Sequence, residues 1–192
     1  MSHGGDIYRN SVHTDLSVNL NPYGTPDLML DAAAEGIRLA AAYPDSEQEE
    51  VRSAIAAADG VAAECVFAGN GASELILASV RAVAPKTALL IEPCFSGYRH
   101  ALKSLRGCEI REMYLREEED FRLGDGVIGC MDEGVDMVFI TDPWNPTGQP
   151  VGGELLLKIL AEAQRRHIYV LLDQSFYLMS GVLRGDPVPE SS

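Results

Sequence analysis

Four short stretches carry the residue types that chemistry needs. "GNGASEL", residues 69–75, is a glycine-rich loop that runs into a helix-forming segment. "EPCFSGY", 92–98, sets Phe95 just after an apolar run. "TDPWNPTGQP", 141–150, places Asn145 directly before Pro146 in a stretch with three prolines. "DQSF", 173–176, sets Asp173 at the end of another apolar run. A glycine loop opening a helix offers free backbone N–H groups and the positive end of the helix dipole, which suit a phosphate. A flat ring can stack on a planar ligand. An amide on a stiff loop can hold one polar atom of a ligand. A carboxylate at the mouth of a sheet needs a cationic or donor partner, because burying it unpaired is costly.

Each stretch also has a plainer reading. The glycine loop can be a strand–helix turn, Phe95 can pack in the core, and Asp173 can cap a helix or pair with an arginine. No Lys-Ser/Thr follows the loop, so it is not a Walker A motif. It fits a dinucleotide fingerprint only at Gly69 and Gly71, because Glu74 stands where the last glycine belongs.

The elements that must position these stretches decide between the readings. "DLMLDAAAEGIRLAAAYP" reads as a helix stopped by Pro44, and "DSEQEEVRSAIAAADG" as one capped by Asp45 or Ser46 and ended by Gly60. A regular alternation follows. "ECVFAG", "KTALLIEP", "CEIREMYL", "VDMVFITDP" and "IYVLLD" read as strands, the third nearer a sheet edge because it alternates. "ASELILASVRAVA", "FSGYRHALKSLRG", the short "GVIGCMDEG" and "GGELLLKILAEAQRRH" read as the helices between them. This is an α/β pattern with a mostly parallel sheet sandwiched by helices. In such sheets ligands bind beyond the carboxyl ends of the strands. All four stretches fall there.

Composition narrows the function classes. The 192 residues fit one domain, or one with a short appendage, and the net charge is −14. So acidic a chain is a poor binder of nucleic acid or an anionic membrane. No apolar run approaches the length of a membrane span, and the polar N-terminus is no signal peptide. Cys65, Cys94, Cys108 and Cys130 form no C-x-x-C pair. They read as reduced, mostly buried thiols of a cytoplasmic protein. No metal site is indicated.

Taken together, the four stretches resemble the fold-type I pyridoxal-phosphate enzymes, and within them the class I/II aminotransferases. "DPWNPTG" is similar to that family's N-P-x-N-P-T-G turn, with Asp142 in place of the first Asn. The resemblance implies that Asn145 bonds the cofactor's 3′-oxygen and that Asp173 pairs with the pyridine nitrogen. It implies that Ala72 and Ser73 hold the phosphate, that Phe95 stacks on the ring, and that Tyr43 reaches the phosphate of a partner subunit. "HGGDIY" followed by "DLSVNLNPYGTP" resembles the threonine-phosphate decarboxylase and histidinol-phosphate aminotransferase branch. There the segment with His3, Asn19, Asn21 and Tyr23 lies over the substrate. The implied substrate is a small, phosphate-bearing amino acid, which loses its α-proton or CO₂. The implied assembly is a homodimer or a complex with a complementing C-terminal half.

Three departures qualify the resemblance. Gln174 replaces a glutamate, and Phe176 replaces a tyrosine that bonds the 3′-oxygen in many relatives. The family's Schiff-base lysine lies in a Ser-x-x-Lys segment beyond Asp173, whereas this chain runs only to Ser192. Its three lysines, Lys86, Lys103 and Lys158, read as surface residues. The expectation is residues 1–44 as an N-terminal arm and helix, residues 45–192 as a shortened cofactor-binding large domain, and no small C-terminal domain. Such a chain is expected to be inactive alone. Two other readings stay open: a non-catalytic remnant that binds a phosphate ligand or a partner chain, and a nicotinamide oxidoreductase using Glu92.

Overall fold

The computed structural model describes residues 5–9, 11 and 13–180. His3 lies outside them. The described residues fall into two compact units, divided between Phe67 and Ala68.

The first unit is helical and sparsely packed. Helix α1, Asp27–Leu39, buries none of its residues and ends before Pro44 is reached. Helix α2, Glu49–Asp59, buries only Ala56 and stops at Gly60, which takes the left-handed φ of 68°. The N-cap of α2 is Gln48, in the left-handed region at φ 55°, and not the expected Asp45 or Ser46; Asp45 lies one turn further out yet still reaches the helix start. Its carboxylate accepts from the amides of Glu47 at 2.9 Å and Glu49 at 2.8 Å. The strand expected over "ECVFAG" does not form. Ala63–Cys65 is a single 3-10 turn, and residues 66–69 after it form no strand. The Arg52 guanidinium binds the Ala63 carbonyl at 2.8 and 3.2 Å, and Phe67 is 67 % exposed. A strand needs a neighbour to take its backbone groups, and no strand among the described residues pairs with this stretch.

The second unit is the expected parallel sheet. Strands β1 (Thr87–Glu92), β2 (Glu109–Tyr114), β3 (Met137–Thr141) and β4 (Tyr169–Asp173) pair in the order β2-β1-β3-β4, all parallel. The alternating strand β2 is at an edge, as its sequence predicts. Helices α3 (Ala72–Val83), α4 (Ser96–Lys103), α5 (Gly126–Cys130) and α6 (Gly153–Arg166) cover the two faces.

Period-two patterning separates the faces. Ala88, Leu90, Met137 and Phe139 pack with Ile76 and Val80 of α3 and with Tyr98, Ala101 and Leu102 of α4. Leu89, Ile91, Val138 and Ile140 pack with Val127 of α5 and with Ile159 and Ala163 of α6. β1 and β3 are buried on both sides, which explains their unbroken apolar runs. Helix α3 leads into β1 and α4 leaves it, so both helices start at the carboxyl edge of the sheet. The four cysteines are free; Cys65 is exposed and the others are half-buried, less enclosed than expected. No helix among the described residues is long and apolar enough to cross a membrane.

Candidate functional site

Asp173 is the last residue of β4, level with Thr141 at the end of β3. By alternation it shares the face of Leu171, under α3 and α4. Three donors meet its carboxylate. The Tyr98 hydroxyl donates to Oδ2 at 2.6 Å. The Ser175 amide and hydroxyl donate to Oδ1 at 2.9 and 2.6 Å. A carboxylate at a strand end was expected to need donors, and these are neutral ones; no arginine or lysine side chain bonds to it among the described residues. Thr141 Oγ1 lies 2.9 Å from the Tyr98 oxygen.

Phe95 stands immediately before α4, and its ring meets Tyr98 edge-on, with centroids 5.5 Å apart and planes at 83°. The ring lies across the first turn of its own helix. A Cβ on Gly97 would come within 2.2 Å of Phe95 Cε1, so the glycine is what admits the ring there. Phe95 is half-buried and packs against the core. The neighbouring thiol of Cys94 is pushed up to about 12 by burial, and then by the Glu92 carboxylate beside it. It is therefore no ready nucleophile. Glu92 itself is engaged: it accepts from Arg99 at 2.5 Å and from the Cys94 amide at 3.0 Å. That leaves it poorly placed to serve a nucleotide ribose.

The proline-rich turn leaves β3 directly beside Asp173, and the Asp142 amide donates to the Asp173 carbonyl at 2.9 Å. The turn is clamped from several sides. The Val151 amide donates to Asp142 Oδ1 at 3.0 Å, and the Trp144 indole N–H donates to the Pro93 carbonyl at 2.8 Å. The Trp144 amide donates to the Gln149 carbonyl at 2.7 Å, and the Gly148 amide to the Trp144 carbonyl at 2.6 Å. Asp142 and Trp144 are buried, whereas Asn145 between Trp144 and Pro146 is half-exposed. Among the described residues its side-chain amide bonds to no protein group. The stiff backbone thus leaves one amide available at the sheet's carboxyl edge.

"GNGASEL" opens α3 as predicted. Gly71, at φ 86° and ψ 168°, turns the chain into the helix with no side-chain cap. The Leu75 amide returns to the Gly71 carbonyl at 3.4 Å, and no acceptor for the Ala72 or Ser73 amide occurs among the described residues. These amides lie at an exposed surface rather than in the pocket a phosphate cup suggests. The Glu74 carboxylate bends back to the Asn70 amide and, at 2.9 Å, to the Asn70 side chain. It steadies the loop from behind.

The remaining expected residues fall in the first unit or just past β4. Tyr43 and Tyr23 are almost wholly exposed. Asn21 closes its own turn, accepting from the Tyr23 amide at 3.1 Å and donating to the Gly24 carbonyl at 2.8 Å. That is the ordinary turn use of an asparagine. Asn19 is exposed, and Phe176, three residues past Asp173, is half-buried. Lys86 and Lys103 are exposed; Lys158 pairs with Glu154 at 3.1 Å and Asp125 at 3.3 Å.

Tyr98 and Thr141 were missed by reasoning from the sequence. The signal was present: Tyr98 lies one helical turn after Phe95, and Thr141 ends a strand of the same register as Asp173. A tyrosine buried to 1 % exposure calls for a hydrogen-bond partner.

The comparisons with known proteins point the same way. The family model for aminotransferase class I and II matches residues 12–183. Threonine-phosphate decarboxylase of Salmonella typhimurium is 32% identical over 162 residues, 84% of this chain and 44% of that protein. Histidinol-phosphate aminotransferase of Bacillus subtilis (strain 168) is 32% identical over 164 residues, 84% of this chain and 45% of that protein. The crystal structure of the histidinol-phosphate aminotransferase from Clostridium acetobutylicum superposes with a TM-score of 0.76 at 26% identity, covering 88% of this chain and 49% of that one. The chain thus spans about half the length of the relatives it matches.

Proposed function

The chain belongs to the class I and II aminotransferase family, and from that premise we propose that it holds pyridoxal phosphate at the carboxyl edge of its sheet, for chemistry at the α-carbon of a phosphate-bearing amino acid. The observation that carries this reading is the Asp173 carboxylate, held by three neutral donors at a strand end. A carboxylate so placed suits the one cationic atom of a protonated pyridine ring. The other groups fit the rest of the cofactor. The Ala72 and Ser73 amides at the start of α3 suit its phosphate, Phe95 its ring face, and Asn145 its 3′-oxygen.

When bound, the cofactor's protonated ring accepts the electrons that a departing α-proton or CO₂ leaves on the α-carbon. Asp173 would keep the ring nitrogen protonated by offering it a negative partner. Asn145, fixed by the clamped turn, would orient the ring in its plane. The phosphate would be held by local amides, in opposition to an overall charge of −14. Tyr43, Tyr23, Asn19, Asn21 and His3 are assigned to the substrate side or a partner subunit by resemblance. The names of both relatives support a phosphorylated substrate and removal of either an amino group or CO₂; the proposed setting, by resemblance alone, is a cytoplasmic homodimer or a complex with a complementing C-terminal half.

Trp144 reports on this site. It is the only tryptophan, is 2 % exposed, and adjoins Asn145. Titration of the 192-residue chain with pyridoxal phosphate is expected to quench its fluorescence saturably. Asp173→Ala and Asn145→Ala are each expected to weaken binding about tenfold, the scale of one hydrogen bond to a charged group. Absence of saturable quenching overturns the reading. Quenching by inorganic phosphate alone, unaffected by Asp173→Ala, supports a phosphate-binding remnant instead.

A further inference from the structure

We propose that Tyr98 is the positioning residue of this site: its hydroxyl, itself oriented by Thr141, fixes the rotation of the Asp173 carboxylate so that it meets a pyridine nitrogen. The inference rests on the reading of Asp173 given above.

The direction of the bonds follows from the groups. An ionised carboxylate only accepts, so the phenol donates its hydrogen to Asp173 Oδ2 at 2.6 Å. The Tyr98 oxygen is then left to accept, and Thr141 donates to it at 2.9 Å. The result is a one-way chain, Thr141 to Tyr98 to Asp173. Burial, and then donation to Asp173, push the Tyr98 phenol above its ordinary range. It therefore stays a donor at any working pH.

The chain is rigid where it has to be. The Tyr98 ring is held between Phe95, edge-on at 5.5 Å, and Phe139, tilted at 5.0 Å. A carboxylate otherwise turns freely about its last torsion, which has broad wells. Here Tyr98 from α4 holds one oxygen and Ser175, past β4, holds the other. The same tyrosine ring touches Phe95. One side chain thus couples the group proposed to stack on the ligand ring to the group proposed to meet its nitrogen. Among the described residues its hydroxyl bonds only Thr141 and Asp173, and not Asn145 or the α3 amides, so its influence belongs to one atom of the ligand.

That selectivity supplies the test. Pyridoxal phosphate and its 1-deaza analogue, in which a carbon replaces the ring nitrogen, are titrated into the 192-residue chain with Trp144 fluorescence as readout. The wild-type chain is expected to prefer the natural cofactor. Tyr98→Phe is expected to reduce that preference about threefold to tenfold while leaving affinity for the deaza analogue nearly unchanged. Thr141→Val is expected to act in the same direction, less strongly. A Tyr98→Phe chain that loses affinity for both ligands equally, or for neither, overturns the inference and leaves the cofactor reading standing. A wild-type chain with no preference shows that Asp173 does not meet the nitrogen, and removes the assignment of Asp173 and that of Tyr98 together. If Tyr98→Phe does not fold, the Thr141→Val ratio decides alone: unchanged, it overturns the inference.

Discussion

At Asp142 the chain departs from the family's usual asparagine, and the structure gives the residue a task. The carboxylate is 5 % exposed and takes the Val151 amide at 3.0 Å, closing the turn that carries Asn145. Val151 is itself buried, so removing the acceptor strands an N–H away from water. Asp142→Ala is therefore expected to cost about 1–3 kcal/mol in urea unfolding. Asp142→Asn keeps an acceptor oxygen and is expected to stay within about 1 kcal/mol of the wild-type chain. Equal stability of Asp142→Ala and wild type would show that the turn does not depend on this bond.

Among the elements, the α3 N-terminus is one whose state pH can switch. Its loop is tied by Glu74 to the Asn70 amide and side chain. The backbone bond to Asn70, and after it the side-chain bond, hold the Glu74 carboxyl below its ordinary value of 4.5. A carboxyl lowered by folding contributes fully above that ordinary value, and its contribution is lost as pH falls through the lowered one. The loop should therefore remain tied at neutral pH and come loose only in acid. Followed by NMR, the Asn70 amide shift is expected to titrate with a midpoint below 4.5, and Glu74→Gln to abolish that titration. A midpoint at or above the ordinary value would show that the tie is not formed in solution. The strand predicted before this loop is absent, yet the loop still opens its helix. Gly71 turns the chain into α3 without a strand to lead it.

For the whole molecule, the arrangement of the lysines matters most. Lys86 precedes β1 and Lys103 ends α4, so both lie toward the amino edge of the sheet, opposite Asp173. Lys158 belongs to α6, which covers the other face and pairs this side chain with Glu154 and Asp125. A lysine that anchors the cofactor and moves the α-proton has to reach the ring. The isolated chain, given pyridoxal phosphate and an amino acid phosphate, is accordingly expected to show no turnover. Borohydride reduction is expected to leave no specific pyridoxyl adduct by mass spectrometry. An adduct on one of these lysines, accompanied by turnover, would refute this.

The alternation of helices and strands, the parallel sheet, the edge position of β2 and the strand-end placement of Phe95, Asn145 and Asp173 were all legible in the residues. They follow from local causes: hydrophobic period, turn chemistry and helix stops act over a few positions. "ECVFAG" was misread because a strand is made by its neighbour as much as by its own residues. The Tyr98–Thr141–Asp173 chain was not legible for a related reason. Its members are far apart along the chain and meet only when α4 packs across β3 and β4. A tyrosine with an apolar body reads as core from the sequence. Whether its hydroxyl finds a carboxylate depends on which strand ends lie beneath it, and sheet order and register settle that.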